Sequence, residues 1–236
     1  MSDAKDLMPQ SQFETALCEA VMEYSMLKHP FYVAWTEGKL TKAVLAEYAK
    51  QYYAHVRAFP TYVSAVHSQC EEVSVRQELL ENLIEEERGE ENHPELWLRF
   101  AEGLGVSRED VRSAKLLAST EDSVARLKSL TRSDDYREGL AALYAYESQI
   151  PEVAQTKREG LKSFYQIDDE RAVSFFRVHE GIDVLHQQVE KRILSDKCQS
   201  ADEQGRAIAA ARESARALWT FLDGVTEAHL SASSVH

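Results

Sequence analysis

Apolar side chains recur along most of this chain at intervals of three and four residues, which is the pattern of an amphipathic helix. In the first segment these positions are Phe13, Leu17, Val21, Tyr24 and Leu27. Ser11 and Glu14 have the spacing of a capping box, and the proline after His29 disfavours helix at that point. The pattern therefore predicts a first helix from Ser11 to about Lys28.

The same periodicity continues to the end of the chain, and capping residues divide it into segments. The further predicted helices are 31–36 before Gly38, 42–70 after Thr41 with a kink at Pro60, 74–103 as one helix or two abutting ones, short helices after Ser107 and Ser119, 134–165 with a kink at Pro151, one from Asp168 or Asp169 to Ser195, and one after Ser200. No stretch alternates with period two for long enough to make a strand. We expect one all-α domain of seven to nine helices over residues 11–230, with a disordered N-terminal tail at 1–10 and a C-terminal tail at 231–236.

The predicted helix over residues 175–190 carries three metal-ligand side chains on one face. His179, Asp183 and His186 are spaced at i, i+4 and i+7, so about 100° per residue places them in one narrow stripe. The apolar residues around them, which indicate that much of the helix is buried, are Val178, Ile182, Val184, Leu185 and Val189. Two imidazoles and a carboxylate on a buried helix are costly without compensation, and a metal ion is the simplest compensation.

Further ligand candidates lie on two other predicted helices. Glu86 and His93 are seven residues apart and share a stripe, and Glu147 interrupts the apolar and aromatic segment 143–150. The full set is Glu86, His93, Glu147, His179, Asp183 and His186. Three carboxylates and three imidazoles predict a dinuclear non-haem iron or manganese site. The Glu-x-x-His pairs usual in such bundles are absent, and for any single pair a satisfied core histidine or a solvated acidic face is the favoured alternative.

Composition and charge narrow the classes of protein. Glycine (9) and proline (5) are scarce among 236 residues, which favours helices. A formal charge of −13 argues against nucleic acid and anionic membranes as partners. The cysteines, Cys18, Cys70 and Cys198, are odd in number and far apart, so we expect reduced thiols in the cytoplasm. The sequence has no apolar run of about 18 residues, so we expect no transmembrane helix. Residues 1–8 lack the apolar core of a signal peptide, so we expect none there.

Other polar residues on inward stripes have two interpretations each. The tyrosines concerned are Tyr48, Tyr52, Tyr53, Tyr144 and Tyr146. Core packing with hydroxyls bonded to carboxylates is the commoner case, and redox activity beside a metal is the alternative. From sequence alone, Lys157 is expected to snorkel along the core surface. His55 and His67 are expected to be core or surface residues, and Cys70 has no visible partners as a nucleophile.

Several stretches resemble a known family. They are Phe31-Tyr-Val-Ala-Trp35, Tyr48-Ala-Lys-Gln-Tyr-Tyr53, Ala58-Phe-Pro60, Asn82-Leu, Glu86-Glu, Asn92-His, Leu96-Trp97 and Ala142-Leu-Tyr-Ala-Tyr-Glu-Ser-Gln-Ile-Pro151. Over about residues 13–225 the chain is similar to the chlamydial protein associating with death domains and its bacterial homologues. These proteins are haem-oxygenase-like dimetal oxidases.

The resemblance implies a single-domain, seven-helix haem-oxygenase-like bundle without haem. It implies a dimetal centre, Fe/Fe or Mn/Fe, held by the same six ligands, with O₂ and an external electron donor as co-substrates. It also implies synthesis of para-aminobenzoate for folate, by a route that bypasses the chorismate enzymes. In that family Tyr32 corresponds to a self-sacrificed source of the ring, Lys157 to the amino donor, and Tyr48 and Tyr146 to tyrosines near the metals.

The resemblance leaves alternatives open. One is an oxidase that acts repeatedly on a free small molecule and keeps Tyr32 intact. Another is a non-catalytic helical interaction module, and a homodimer is an open assembly state. Pro94, after His93, departs from the chlamydial pattern and is expected to redirect the helix axis there. No residue independently supports a death-domain partner.

Overall fold

The computed structural model describes residues 6–229, apart from the side chains of Ile182, Val184 and His229. Within this range the regular structure is helical and contains no strand. The helices are α1 (Gln10–Met22), α2 (Pro30–Thr36), α3 (Lys42–Gln69), α4 (Val73–Glu87), α5 (His93–Gly103), α6 (Arg108–Arg112), α7 (Ala118–Leu130), α8 (Tyr136–Glu147), α9 (Ile150–Tyr165), α10 (Glu170–Lys197) and α11 (Ala201–His229), with a 3₁₀ turn at Met26–Lys28. The all-α prediction is therefore confirmed.

Several predicted caps start their helices as expected. Thr41, Ser107 and Asp169 each accept a hydrogen bond from a backbone N–H in the first turn of α3, α6 and α10. Before α11, the hydroxyl of Ser200 accepts from the N–H of Glu203, and the Glu203 carboxylate accepts from the N–H of Ser200. These side chains satisfy N–H groups that have no partner inside the helix.

Other predicted starts are wrong by one or two residues. The helices α1, α4 and α7 begin after Pro9, Glu72 and Leu117, none of which makes a side-chain cap. Their serines fall inside the first turn, since solvent can satisfy the N–H groups at an exposed helix start. The first helix also ends at Met22 rather than Lys28.

Residues 6–229 contain eleven α-helices, more than the seven implied by the resemblance or the seven to nine expected from the pattern. Two of the nine predicted segments are each divided: 74–103, for which two abutting helices were one alternative, and 134–165. Between α4 and α5, Gly89 adopts φ +83°, and the side chain of Asn92 caps α5. Between α8 and α9 the helix breaks at Ser148–Gln149, and Pro151 lies in the first turn of α9. Proline is tolerated there because the N–H it lacks has no helical acceptor. Helix α3 is continuous through Pro60.

The helices pack around an aromatic core that positions the polar residues described below. Helix α10 packs on α5, α8 and α9, while α11 packs on α1, α7 and α8. Helix α2 lies on α9, where a Cβ at Gly160 would come within 2.5 Å of the Trp35 indole. Glycine at this position therefore lets α2 approach α9 closely. This close approach of the two helices brings Tyr32 near Lys157.

The ends of the domain are only partly described. The predicted C-terminal tail, 231–236, lies outside the described residues, as do residues 1–5 of the predicted N-terminal tail. The backbone of Met8 exchanges two hydrogen bonds with the Gln204 side chain, and α1 begins one residue before the expected Ser11. All three cysteines are free thiols. None of the described helices is long and apolar enough to cross a bilayer.

Candidate metal centre

The central stripe of α10 has the orientation that its spacing predicts. His179 and Asp183 are buried, and His186 is half-buried. Leu185, expected to be buried, is 64% exposed. It lies about 200° around the helix from Asp183 and faces solvent, so burial is confined to the ligand face.

Glu86 and His93 approach each other by a different route from the one predicted. They do not share a helix, because Glu86 lies near the end of α4 and His93 is the first residue of α5. The intervening turn folds back and places Nδ1 of His93 2.8 Å from Oε1 of Glu86. Pro94 is the second residue of α5, so it is compatible with the helix start and does not displace His93.

The six predicted ligands form two groups. Glu86, His93 and His179 make the first, and Glu147, Asp183 and His186 make the second. Within each group, one potential ligand atom per residue lies within 4.8 Å of the others. Residues of both groups line one cavity of about 30 Å³. The sequence-derived set thus converges from α4, α5, α8 and α10.

The chemistry of these groups fits a metal centre. Oε2 of Glu147 and Oδ2 of Asp183 have no hydrogen-bond partner among the described residues. Burial, reinforced by the Glu147 and Glu86 carboxylates, raises the pKa of Asp183 well above its ordinary value. Buried carboxylates held together without partners are costly, and cations would remove that cost. Mixed oxygen and nitrogen donors suit iron or manganese. The ligand role of each residue stays a prediction.

Backbone and side-chain partners orient the two histidines of α10. Nδ1 of His179 lies 2.6 Å from the carbonyl oxygen of Phe175. A carbonyl only accepts, so Nδ1 holds the proton and Nε2 keeps the lone pair that a metal would use. For His186, Nε2 lies 2.8 Å from Oε2 of Glu85, and Nδ1 lies 3.3 Å from Oε1 of Glu147. Burial lowers the pKa of His186, but Glu147 and Glu85 outweigh it and the net shift is upward.

Two supporting residues were missed by the sequence interpretation. Asn82 donates a hydrogen bond of 2.9 Å from Nδ2 to Oε1 of Glu147. Its position four residues before Glu86, on the same face of α4, was the available signal. The second is Glu85, which was not among the predicted ligands and whose Oε2 lies 2.8 Å from Nε2 of His186. Partners of this kind fix the orientation of metal ligands.

Lys157 lies beside the ligand groups and is fully buried. It is 3% exposed, and its Nζ lies 4.8 Å from the ring centroid of Tyr52, 5.0 Å from that of Tyr48 and 5.6 Å from that of Tyr32. The expectation that it snorkels is wrong, because α2 and α3 cover the inner face of α9. Burial lowers the pKa of Lys157 to about 7, so much of the amine is neutral near that pH.

The buried tyrosines bond to one another rather than to carboxylates, contrary to the commoner case expected. The hydroxyls of Tyr32 and Tyr48 are 3.2 Å apart, and those of Tyr52 and Tyr146 are 2.8 Å apart. The rings of Tyr48 and Tyr52 stack with centroids 5.5 Å apart. Burial raises the pKa of Tyr32 and of Tyr146, so these phenols stay protonated. Tyr53 and Tyr144 are buried outside this arrangement.

Comparison with known proteins now identifies the family. Residues 46–219 match the model of a haem-oxygenase-type family described as iron-containing redox enzymes. The chain belongs to this family. It is 41% identical, over 93% of both chains, to the 4-aminobenzoate synthase of Nitrosomonas europaea. It is also 41% identical to the 4-aminobenzoate synthase of Chlamydia muridarum, over 86% of this chain and 85% of the relative. The resemblance found in the sequence is thereby confirmed.

The fold of this member of the iron-containing redox enzyme family is shared by solved structures of low sequence identity. A haem-oxygenase-like domain from Shewanella denitrificans superposes with a TM-score of 0.80 at 20% identity, covering 98% of this chain and 97% of that one. This similarity supports the fold and nothing more specific. The haem-oxygenase-like class expected for the chain is confirmed.

Proposed function

We propose that this chain is a non-haem dimetal oxidase that makes para-aminobenzoate for folate biosynthesis from two of its own side chains. Tyr32 supplies the ring and Lys157 the nitrogen. The observation that carries the proposal is their proximity: Nζ of Lys157 lies 5.6 Å from the centroid of the buried Tyr32 ring, close to the ligand groups. The names of the relatives support the product.

The structure of the product dictates which bonds change. Para-aminobenzoate has a six-carbon ring with one carbon substituent and a nitrogen opposite it. The Tyr32 side chain has the same ring, with Cβ on one side and oxygen opposite. The Cα–Cβ bond of Tyr32 must therefore break, and O₂ must oxidise Cβ to the carboxyl carbon. Nitrogen must replace the phenolic oxygen, so the ring C–O bond and the Cε–Nζ bond of Lys157 must also break, and the phenolic oxygen leaves as water. A buried amine with a pKa of about 7 offers a lone pair for that replacement.

The six predicted ligands would hold two metal ions, Fe/Fe or Mn/Fe. With O₂ and an external electron donor, such a centre supplies the oxidising chemistry. Tyr52 and Tyr146 line the cavity, and their hydroxyls are bonded to each other. Tyr48 stacks on Tyr52 and bonds to Tyr32, so phenols connect the cavity continuously to the ring that is consumed. Burial excludes water from these groups and places the reactants in contact before the reaction starts.

The size of the cavity argues against a free aromatic substrate. A volume of about 30 Å³ admits molecules of the size of water or O₂. A free amine or fatty acid would need a much larger space beside the ligands. An internal source of the ring and the nitrogen needs no such space, which favours the self-sacrificing reaction over repeated turnover.

The test is a single-turnover assay. The apo-protein is loaded with Fe²⁺, Mn²⁺ or both without oxygen, then given O₂ and a reductant, and product and intact protein mass are measured together. We expect at most one para-aminobenzoate per chain and a matching mass loss at residue 32. The Tyr32→Phe variant should bind metal and make no product. Tyr165→Phe is the matched control, since Tyr165 is buried but bonds to the Leu40 carbonyl away from the cavity.

The source of nitrogen is tested separately by labelling. Protein made with ¹⁵N-lysine should release ¹⁵N-labelled product, and Lys157→Arg should release none while still binding metal. Undiminished product from Tyr32→Phe would overturn the role of Tyr32. Unlabelled product from the ¹⁵N-lysine protein would overturn the role of Lys157.

A further inference from the structure

A seventh ionisable residue, Glu190, continues the ligand stripe of α10. It follows His186 by four residues and Asp183 by seven, so it falls on the same helix face. It is 3% exposed and lies in the last third of α10. The sequence interpretation stopped at His186, and the same spacing rule would have included Glu190.

The carboxylate of Glu190 has no compensation among the described residues. No N–H or hydroxyl group of the described residues donates to either of its oxygens, and the polar group beside them is the Glu147 carboxylate, which can share a hydrogen bond only if one of the two acids is protonated. Its neighbours are Glu147 and Asp183, which are themselves carboxylates of the second ligand group. A glutamate that is buried against two other acids and receives no donor is expensive unless a cation joins them.

The charge balance of a dimetal centre also favours a fourth carboxylate ligand. The six predicted ligands include three carboxylates, whereas two divalent cations bring four positive charges. One positive charge would remain in a buried site whose imidazoles are neutral ligands. The nearby carboxylate of Glu85 contacts His186 but is 40% exposed, so solvent screens its charge. A fourth carboxylate makes the centre neutral, which is the state that a low-dielectric interior favours.

We propose that Glu190 is a seventh protein ligand, which completes the group of Glu147, Asp183 and His186 around its cation. This inference rests on the dimetal centre of the proposed function. It makes the two halves of the centre unequal. The first group has two imidazoles and one carboxylate, whereas the second has one imidazole and three carboxylates.

A structural role for Glu190 predicts different behaviour. If Glu190 only shared a proton with Glu147, its loss would destabilise the metal-free protein and leave metal binding unchanged. A ligand behaves in the opposite way. Its loss relieves crowding among the acids of the metal-free protein and weakens the bound cation.

The experiment measures binding of Mn²⁺ alone to the full-length metal-free protein, without O₂, by equilibrium dialysis against a competing chelator. Wild type should bind two ions per chain. Glu190→Gln should keep one ion at unchanged affinity and bind the other at least about ten-fold more weakly. Its metal-free melting temperature should equal or exceed that of wild type. Glu227→Gln, at an exposed position of α11, is the matched control and should behave as wild type.

The outcomes separate this inference from the proposed function. Two ions bound at wild-type affinity by Glu190→Gln would overturn the role of Glu190 and leave the dimetal centre standing. A wild type that binds no Mn²⁺ and no Fe²⁺ would overturn the centre and the role of Glu190 together. Glu190→Leu removes the carboxylate without adding a polar group, so it repeats the test if the glutamine variant folds poorly. It should lose the same ion.

Discussion

Two buried regions lie side by side in this protein and treat their polar groups in opposite ways. In the ligand groups, acids are gathered together, and oxygens of Glu147 and Asp183 lack hydrogen-bond partners among the described residues. In the aromatic region, the phenols pair with one another, as Tyr52 does with Tyr146, and Nζ of Lys157 lies 4.8 Å from the centroid of the Tyr52 ring.

The difference shows what burial alone can achieve. Burial stabilises the neutral form of a single amine or phenol, so the aromatic region is self-sufficient in the metal-free chain. Neutralising several neighbouring carboxylates would give up the charge that makes them useful ligands. In the proposed dimetal centre the ligand groups therefore depend on ions from outside the chain, and the two regions should respond differently to metal, pH and substitution.

Metal loading should give the largest effect. Mn²⁺ at about 100 times its dissociation constant should stabilise the fold by about 2.7 kcal/mol for each site, because it binds the folded state only. The measurement is the melting temperature with Mn²⁺ and with a chelator, for wild type and Tyr52→Phe. Both proteins should gain equally, since Tyr52 belongs to the other region. An unchanged melting temperature at saturating metal would contradict the comparison.

A smaller effect, the pH dependence of the free energy of unfolding, should arise from Lys157 in the aromatic region. The pKa of Lys157 is about 7 in the folded state and about 10.4 when unfolded. Below pH 7 the Lys157 amine is protonated in both the folded and the unfolded state. The folded state then bears the full cost of a buried charge. Between pH 7 and 10 the unfolded state binds more protons, so the stability of wild type rises with pH.

The matched variant for that pH test is Lys157→Met, which lacks the titrating amine. The free energy of unfolding of wild type minus that of the variant should increase from pH 7 to 10, measured by urea unfolding at fixed ionic strength. Lys42→Met, at an exposed position, should show no such trend. Parallel pH profiles for wild type and Lys157→Met would mean that the buried amine is charged throughout.

The smallest change in stability is expected for Tyr52→Phe. It removes the hydroxyl bonded to Tyr146 and keeps the ring stacked on Tyr48, so it should cost about 1 kcal/mol. Metal stoichiometry should not change, while the yield of para-aminobenzoate per chain should fall several-fold. A yield equal to that of wild type would show that the phenol pair is structural, and altered metal binding would show that the two regions are not independent.

The sequence predicted the parts of the site that depend on local spacing. His179, Asp183 and His186 lie on one uninterrupted helix, so their relative placement follows from helix geometry. Glu86 and His93 were paired correctly but for the wrong reason, because a turn joins them. Gly89 is the helix-stop signal and Asn92 the helix-start signal at that turn. Apolar residues keep the helical spacing on both sides of it, so the hydrophobic pattern alone does not reveal the break.

The aromatic region could not be predicted in this way. The contact of Lys157 with Tyr32 depends on how closely α2 approaches α9, and that distance is set by the packing of Trp35 on Gly160. The phenol pairs likewise join residues far apart in the chain, such as Tyr52 and Tyr146. No local pattern encodes which hydroxyl meets which partner, and only the resemblance to a known family singled out Tyr32.

The complete burial of Tyr32 has a consequence for the lifetime of a chain that has undergone the proposed reaction. A chain that has given up this ring carries a hole in its core, and removing a buried aromatic side chain costs about 3–5 kcal/mol. That is a large part of the roughly 5–15 kcal/mol that holds a typical domain folded. The reacted chain would unfold more often than a fresh one and be exposed more often to cellular proteases. In the proposed reaction, loss of the Tyr32 ring would therefore also mark the spent chain for degradation.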